Sequence, residues 1–352
     1  MNIDREKIIQ TQKDLSNLIG CPGHEEEVTD YILTRLEECS VDKAWVDPLG
    51  NVLATKAGGR EDGLKILLDA HVDEVGFMIS HIDDSGFIRI APLGGVDKRL
   101  MLGSILQFQS GKPERVLGIV GTSPPHITKP DEREKVPPIE DLFVDIGCSN
   151  IDEVRKYGLD VGSVGTFYTE FKQINENVLI GKAFDDRTAC NVLLQVLLLC
   201  ANENVPNTIL ANFAVQEEVG GRGATVGAYS LDPDIALALE NTIASDMPGV
   251  PPHKVVTKLG AGPAVTAADR SLITPKIILE RIKQAAEIDN IPWQYKKPIY
   301  GGSDGGRIAI SKSGVPTSVV SVPCRYIHSN VALLHLDDII NTIKLVRNFC
   351  KI

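Results

Sequence analysis

The chain has 352 residues, of which 43% are hydrophobic and 24% charged, and its formal net charge is -11 at pH 7. This length and composition are typical of a globular protein with one large domain or two, and leave room for a buried site. The acidic balance argues against nonspecific binding to nucleic acid or to anionic membranes, because both need a basic surface.

The cysteine and hydropathy patterns indicate the cellular compartment of the protein. Seven cysteines are scattered without a Cys-x-x-Cys pair, which favours a reducing cytoplasm over a disulfide framework or a thiolate zinc site. Residues 1–15 mix acids and bases and lack the features of a secretory signal. No stretch approaches the roughly 18 uninterrupted apolar residues of a membrane span. We therefore expect a soluble, cytoplasmic protein.

The N-terminal elements are predicted to be mixed. Helical periodicity over residues 5–38 predicts two outer helices, with the acidic residues 25–27 in the first turn of the second. Apolar runs at residues 45–54 and 65–69 are predicted as two strands joined by a turn. From residue 75 to about 169, short alternating stretches punctuated by Gly, Pro and Asp predict a compact all-β insert.

Strands and helices alternate again beyond the insert. Alternation of this kind builds an α/β fold with a mixed, mostly parallel sheet and helices on both faces. The predicted elements are helices at residues 187–199 and 275–288, and strands at residues 208–215, 235–239 and 317–322.

Side chains that can bind metal ions follow the ends of four predicted strands. In open α/β sheets the binding crevice lies outside the carboxyl ends of the strands, so these residues are expected to meet there. Asp185 and Asp186 open the helix that starts near Arg187 and are predicted to lie at the same rim. The strand-end residues are His71, Asp73, Glu217, Glu218, Glu240 and His328.

These residue types fit a site for two divalent ions. Such a site needs a bridging carboxylate, further carboxylate or imidazole ligands, and a free carboxylate that accepts a proton from water. His71 and Asp73 share one face of a strand, so Asp73 can accept a hydrogen bond from the imidazole. Taken singly, each group has a structural explanation, such as a helix cap at Asp185 or a solvated pair at residues 217–218. Their joint occurrence at four strand ends favours the metal site.

A glycine-rich run occupies residues 301–306. It lacks the Lys-Ser/Thr ending of a P-loop and the strand and helix of a dinucleotide fingerprint. We predict a tight turn that brings backbone close to the substrate.

Six motifs follow one another along essentially the whole chain. Together they resemble metallopeptidase family 42, the tetrahedral or TET-type aminopeptidases, some of whose members are named glutamyl aminopeptidases or endoglucanases. The motifs are HVDEVG at 71–76, GKAFDDR at 181–187, QEEVG at 216–220 continuing to RGA at 222–224, ASDMPG at 244–249, GGSD at 301–304 and RYIHS at 325–329.

The resemblance implies a role for each strand-end residue. It implies a co-catalytic zinc exopeptidase fold with two divalent ions per subunit, zinc or cobalt and possibly manganese. One departure is visible, since aspartate is the commoner ligand at position 240. The implied ligands are His71 and Glu240 for one ion, Glu218 and His328 for the other and Asp185 as the bridge, with Glu217 as general base and Asp73 orienting His71.

The resemblance also implies an organisation and a substrate. A catalytic domain would comprise residues 1–74 and 170–352, and residues 75–169 would form a PDZ-like dimerisation domain. Dimers would assemble into a tetrahedral dodecamer that admits short peptides. The implied activity is removal of residues from peptide N-termini.

Three alternative functions stay open from the sequence. An N-acyl-amino-acid amidohydrolase uses similar metal chemistry. A glycoside hydrolase is suggested by the endoglucanase names and by the adjacent Glu217 and Glu218, although adjacent glutamates are poorly placed to flank a glycosidic bond. A noncatalytic peptide-binding protein is the third, and the presence of Glu217 weighs against it.

Overall fold

The computed structural model describes residues 3–111, 114–124, 126–129, 135–201, 203–297 and 300–352. Within these ranges an eleven-stranded sheet flanked by helices carries an inserted closed barrel of six strands. No helix in the same ranges is long and apolar enough to cross a membrane.

The N-terminal part forms two helices and the first strands of the sheet. The apolar run at residues 45–54, predicted as one strand, is instead an antiparallel hairpin. The reason is local, because the Asp47 carboxylate accepts hydrogen bonds from the amides of residues 49, 50 and 51 and turns the chain. The elements are α1 (Arg5–Asn17), α2 (Glu26–Leu36), β1 (Lys43–Val46), β2 (Val52–Lys56) and β3 (Lys65–His71).

The barrel follows β3 directly. Its interior is apolar, and the rings of Phe77 and Phe167 meet edge to face with centroids 5.2 Å apart. The barrel is closed, so its six strands leave no unpaired edge in the ring. Its elements are β4 (Gly76–Ile82), β5 (Ile88–Leu93), β6 (Ile105–Phe108), β7 (Val116–Val120), β8 (Val144–Asp145), α3 (Ile151–Lys156) and β9 (Val164–Phe167).

The chain then returns to the main sheet. Helix α4 takes up regular helical dihedrals only from Arg187, because Asp185 and Asp186 have non-helical backbone. The elements are β10 (Lys172–Asn175), β11 (Val178–Gly181), α4 (Phe184–Ala201), β12 (Thr208–Ala214), α5 (Arg222–Leu231), β13 (Ile235–Ile243), β14 (Ala264–Thr266), α6 (Lys276–Ile288), β15 (Gln294–Lys296), α7 (Asp304–Ala309), β16 (Thr317–Arg325), β17 (Ala332–His335) and α8 (Leu336–Lys351).

The sheet is parallel at its centre and antiparallel toward its edges. Its strands run in the order β1-β2-β12-β3-β13-β16-β17-β11-β10, with β14 and β15 attached beside β16. The four central strands β12, β3, β13 and β16 are mutually parallel. The sheet is mixed, as predicted, but only its centre is parallel, because hairpins and short returns add antiparallel strands at the flanks.

Helices cover both faces of the sheet, which confirms the predicted α/β class. Helices α1, α2, α4, α6 and α8 pack on one face and α5 and α7 on the other. Alternate residues of β12 divide between the two cores, with Ile209, Ala211 and Phe213 on the first face and Leu210 and Ala214 on the second. The central strands are therefore buried on both faces, and this packing holds in place the residues that follow their ends.

Candidate metal centre

The strand-end residues meet at one edge of the sheet. His71 is the last residue of β3, residues 217 and 218 follow β12, and His328 follows β16. Because these strands are adjacent and parallel, their carboxyl ends lie side by side. Glu240 differs from the prediction, since β13 continues to Ile243 and this residue lies within the strand, paired with Ser321 of β16.

Two groups of oxygen and nitrogen atoms form at this edge, and they share Asp185. One group contains His71, Asp185 and Glu240, the other Asp185, Glu218 and His328, and within each group the atoms lie within 4.8 Å of one another. Asp185 Oδ1 is 3.5 Å from Nε2 of His71, and its Oδ2 is 3.0 Å from Nε2 of His328. The two oxygens of one carboxylate thus face different histidines.

The donor set fits divalent cations. In the described part of the chain no lysine or arginine lies within ion-pair distance of Asp185, Glu218 or Glu240. Glu218 Oε1 is buried and accepts no hydrogen bond from the described residues, although Nε2 of His328 is 3.3 Å away. Buried carboxylates without a cation destabilise a fold, and oxygen with imidazole nitrogen is a donor set for zinc and similar ions.

Both histidines are oriented through their other ring nitrogen. Nδ1 of His71 lies 3.1 Å from the main-chain carbonyl of Asp73, and Nδ1 of His328 lies 3.0 Å from the carbonyl of Gly95, in the barrel. A proton on Nδ1 in each ring would leave Nε2 free to bind a metal. The barrel therefore contributes directly to the arrangement of the site.

Asp73 accepts hydrogen bonds that the sequence analysis did not predict. Its Oδ1 is 3.5 Å from Nδ1 of His71, but its hydrogen bonds come from the amides of Glu217 at 2.9 Å and Glu218 at 3.0 Å. The residue joins the ends of β3 and β12.

Glu217 belongs to neither group of metal-binding atoms. Its Oε2 lies 3.9 Å from Nε2 of His71, and its side chain is 20% exposed. Burial raises its pKa above the ordinary value. Among the described residues its side chain accepts no hydrogen bond, and it lines the cavity beside the two groups.

The other pKa shifts arise because several buried acids lie close together without a cation. Burial raises the pKa of Glu218 to about 8 and that of Glu240 well above its usual range. Burial opposes protonation of His328, but hydrogen bonding to Asp185 raises its pKa to about 9. Burial would likewise raise the pKa of Asp185, and the hydrogen bonds from His328 and His71 hold it low instead.

Three further acids support the site: the sequence analysis placed Asp186 at the rim without a role, and it did not identify Asp304 or Glu25 as supporting residues. Asp304 donates its amide to Glu240 Oε1 at 3.1 Å, Asp186 accepts the amide of His71 at 3.3 Å, and Glu25 accepts the amide of Gln216 at 3.2 Å. The glycine-rich run at 301–306 did signal backbone near the site. The other two contacts join elements distant in sequence, and no local pattern marks them.

A cavity of about 750 Å³ opens beside the donors. Its lining includes His71, Glu217 and Glu240 together with the basic residues Lys296 and Arg307. A short peptide end fits a space of this size.

The fold and the shared carboxylate define a class, the hydrolases that use two neighbouring metal ions. Residues 50–345 match the family model described as M42 glutamyl aminopeptidase. The chain therefore belongs to the M42 peptidase family, as the sequence motifs predicted, and it is a metal-dependent aminopeptidase that hydrolyses peptides from the N-terminus.

Similar proteins span the whole chain. The lysyl aminopeptidase of Pyrococcus furiosus is 32% identical over 335 residues, covering 93% of this chain and 92% of its own. A TET aminopeptidase from a marine sediment Thaumarchaeota archaeon superposes with a TM-score of 0.93 at 38% identity, covering 98% of this chain and 96% of its own. The Pyrococcus horikoshii TET1 peptidase, which can assemble into a tetrahedron or a large octahedral shell, has a TM-score of 0.86 at 28% identity over 97% and 98%.

Proposed function

We propose that the two groups of donors hold two divalent ions and that the enzyme removes the first residue from short peptides. The sharing of Asp185 by both groups carries this proposal. His71 and Glu240 would complete one ion site, and Glu218 and His328 the other. Zinc, cobalt and manganese all suit these ligands.

The protein's own groups divide the work of the reaction. Two bound ions would supply Lewis acidity for water and for the scissile carbonyl. Glu217 would take a proton from the attacking water and deliver it to the leaving amine. Asp73 would hold the turn that carries Glu217, and His71 would be kept in one tautomer by the carbonyl of Asp73.

Hydrolysis of aminoacyl-p-nitroanilides tests the proposal. The purified protein is assayed as prepared, after chelation, and after addition of zinc or cobalt, alongside Glu217→Gln and a matched surface variant, Glu61→Gln. We expect metal-dependent release that Glu217→Gln abolishes with its metal content intact, while Glu61→Gln behaves as wild type. Chelator-insensitive activity, or full activity in Glu217→Gln, would refute the assignment. N-acylated substrates in the same panel separate the amidohydrolase alternative.

The cavity favours a first residue that carries a carboxylate. Lys296 and Arg307 line it, and neither makes an ion pair with the described residues. Cations facing a substrate cavity without counter-ions attract an anionic side chain. The names glutamyl and lysyl aminopeptidase among similar proteins mark this preference as variable within the family.

Isosteric substrates resolve this preference. We expect a higher kcat/KM for the glutamyl than for the glutaminyl p-nitroanilide, and a smaller ratio in Arg307→Gln and Lys296→Gln. Lys283→Gln, on the exposed side of α6, is the matched control. A ratio unchanged in both cavity variants would refute the role of these cations.

We also propose that the barrel is the PDZ-like dimerisation domain at residues 75–169, with the catalytic domain formed by residues 1–74 and 170–352. Ile105 and Ile119 are paired across β6 and β7 and are 40% and 55% exposed, and Leu117 beside them is 46% exposed. Such a patch on a barrel surface supports burial against a second copy. The tetrahedral assembly of the Pyrococcus horikoshii TET1 peptidase and the dodecamer of PhTET1-12s support assembly of such dimers into a tetrahedral dodecamer.

A cytoplasmic location belongs to the same proposal. All seven cysteines are free, and six of them are buried. Free thiols persist most readily in a reducing compartment.

A further inference from the structure

Side chains bind the amides at the start of the turn that follows β12, while the carbonyls of Val215, Gln216 and Glu217 accept hydrogen bonds from backbone amides further along the turn. In a regular sheet these amides would bond to a neighbouring strand, but here four consecutive amides are bound by three side chains from separate elements. The bonds run from Val215 to Asn51 Oδ1 at 3.0 Å, from Gln216 to Glu25 Oε1 at 3.2 Å, and from Glu217 and Glu218 to Asp73 at 2.9 and 3.0 Å.

The second residue of this turn has an unfavourable conformation. Gln216 has φ of +58°, in the left-handed region that side-chain-bearing residues seldom adopt. Such a conformation is unfavourable for a residue with a side chain and persists only where its surroundings impose it. Gln216 directly precedes Glu217, so its dihedral angles set the direction in which the Glu217 side chain leaves the turn.

Glu25 is the side chain that binds the amide of Gln216. It is 6% exposed, and its Oε1 also accepts the amide of Gly23 at 2.8 Å. It stands at the N-cap of α2 yet makes no capping bond to that helix. No lysine or arginine of the described chain pairs with it. A buried carboxyl group without a counter-ion is destabilising, so packing alone does not explain an acid here.

We infer that Glu25 is a positioning residue for Glu217. Its carboxylate fixes the Gln216 amide, holds the left-handed backbone in place and thereby aims the base. This inference rests on the proposed function of Glu217. It assigns a catalytic consequence to the Cys-Pro-Gly-His-Glu segment between the first two helices, which contributes no residue to the metal site.

Three substitutions test the inference. Glu25→Ala removes the acceptor, and Glu25→Asp withdraws it by one methylene, whereas Glu25→Gln keeps an oxygen at the same distance. Glu26→Ala is the matched control, because Glu26 is the exposed neighbour in the first turn of the same helix. For each variant kcat, KM, bound metal and melting temperature are measured, with wild type and Glu217→Gln in the same series.

We expect kcat to fall on the order of ten- to a hundredfold in Glu25→Ala and Glu25→Asp, as a misplaced catalytic group does. KM and metal content should stay near wild type, because the ligands are untouched. Glu25→Gln should recover most of the activity, and Glu26→Ala should retain all of it.

Other results would overturn the inference. They are a wild-type kcat in both Glu25→Ala and Glu25→Asp, a loss that follows lost metal or raised KM instead of kcat, or a failure of Glu25→Gln to rescue. Should Glu25→Ala not fold, Glu25→Asp decides. An inactive wild-type protein, or an active Glu217→Gln, would instead refute the proposed function itself.

Discussion

At the scale of single residues, the site brings together buried acids that a bound cation would stabilise. Asp185 presents one oxygen to each histidine, whereas Glu240 and Glu218 each serve one group. Loss of the shared residue and loss of a single-group residue should therefore have different consequences for metal content.

We expect Asp185→Ala to lose most of both ions and Glu240→Ala to lose one of them. The second group keeps all three of its side chains in Glu240→Ala, whereas Asp185→Ala leaves both groups incomplete. Elemental analysis of dialysed protein measures this, with Asp84→Ala on an exposed barrel loop as the control. Equal metal loss in the two variants would contradict a bridging role for Asp185.

The stability of the metal-free protein should fall as the pH rises. Folding raises the pKa of Glu218 from 4.5 to about 8, through burial, and that of His328 from 6.5 to about 9, where the hydrogen bond to Asp185 outweighs burial. A group whose pKa is raised on folding stabilises fully below its unfolded value, and this contribution disappears as the pH rises through the folded value. The loss should therefore extend over about pH 5 to 9.

Metal should counteract this loss, because ions bind the deprotonated ligands. The difference in melting temperature between zinc-loaded and chelated protein should grow from pH 5.5 to 8.5. Differential scanning fluorimetry measures it, with Glu218→Gln expected to show a weaker dependence. A difference that stays constant or shrinks over this range would contradict the linkage.

At the scale of the elements, a buried ion network joins the barrel to the catalytic loops. Glu74, which is 2% exposed, lies 2.6 Å from Lys182 Nζ and 3.2 Å from Arg187, and Thr166 of β9 donates to it at 2.7 Å. Burial lowers the pKa of Lys182, which its pairing with Glu74 opposes. Lys182 and Arg187 flank the segment that carries Asp185.

Glu74→Gln should destabilise the protein by about 3–5 kcal/mol, because it leaves two buried cations without their counter-ion. Asp62→Asn breaks a fully exposed pair with Arg60, so its free energy of unfolding should stay close to that of wild type. Denaturant unfolding of the chelated proteins compares them. A small effect of Glu74→Gln would mean that the network contributes little to joining the two parts.

The sequence predicted the central elements better than their surroundings. The ends of β3 and β12 follow from largely apolar runs, because buried parallel strands are apolar on both faces. The hairpin at β1 and β2 was missed, since the side chain of Asp47 produces its turn inside an apolar run. The contact of Glu25 with Gln216 was beyond prediction, because only the folded chain brings residues 191 positions apart together.

At the scale of the whole molecule, the proposed dimerisation surface lies on the same barrel that contacts the metal-binding residues. Gly95 of the barrel orients His328, and the exposed apolar patch of Ile105, Leu117 and Ile119 lies on the same barrel. A hydrophobic patch on an acidic chain favours association through that patch, because like charges elsewhere oppose close approach.

Ile119→Lys should dissociate the proposed assembly into smaller species. Ile119 is 55% exposed and faces Ile105 across the β6–β7 ladder, so a lysine there would place a desolvated charge at the centre of the patch. Ile277→Lys, at a 69% exposed position on α6, adds the same charge elsewhere and should leave the mass unchanged. Light scattering after size exclusion compares the masses of both variants with that of wild type.

Because Ile119 lies away from the metal-binding residues, the activity of Ile119→Lys per chain on p-nitroanilides should persist. An unchanged mass in Ile119→Lys would mean that another surface mediates assembly, and a smaller mass with lost activity would mean that the barrel contact also supports His328.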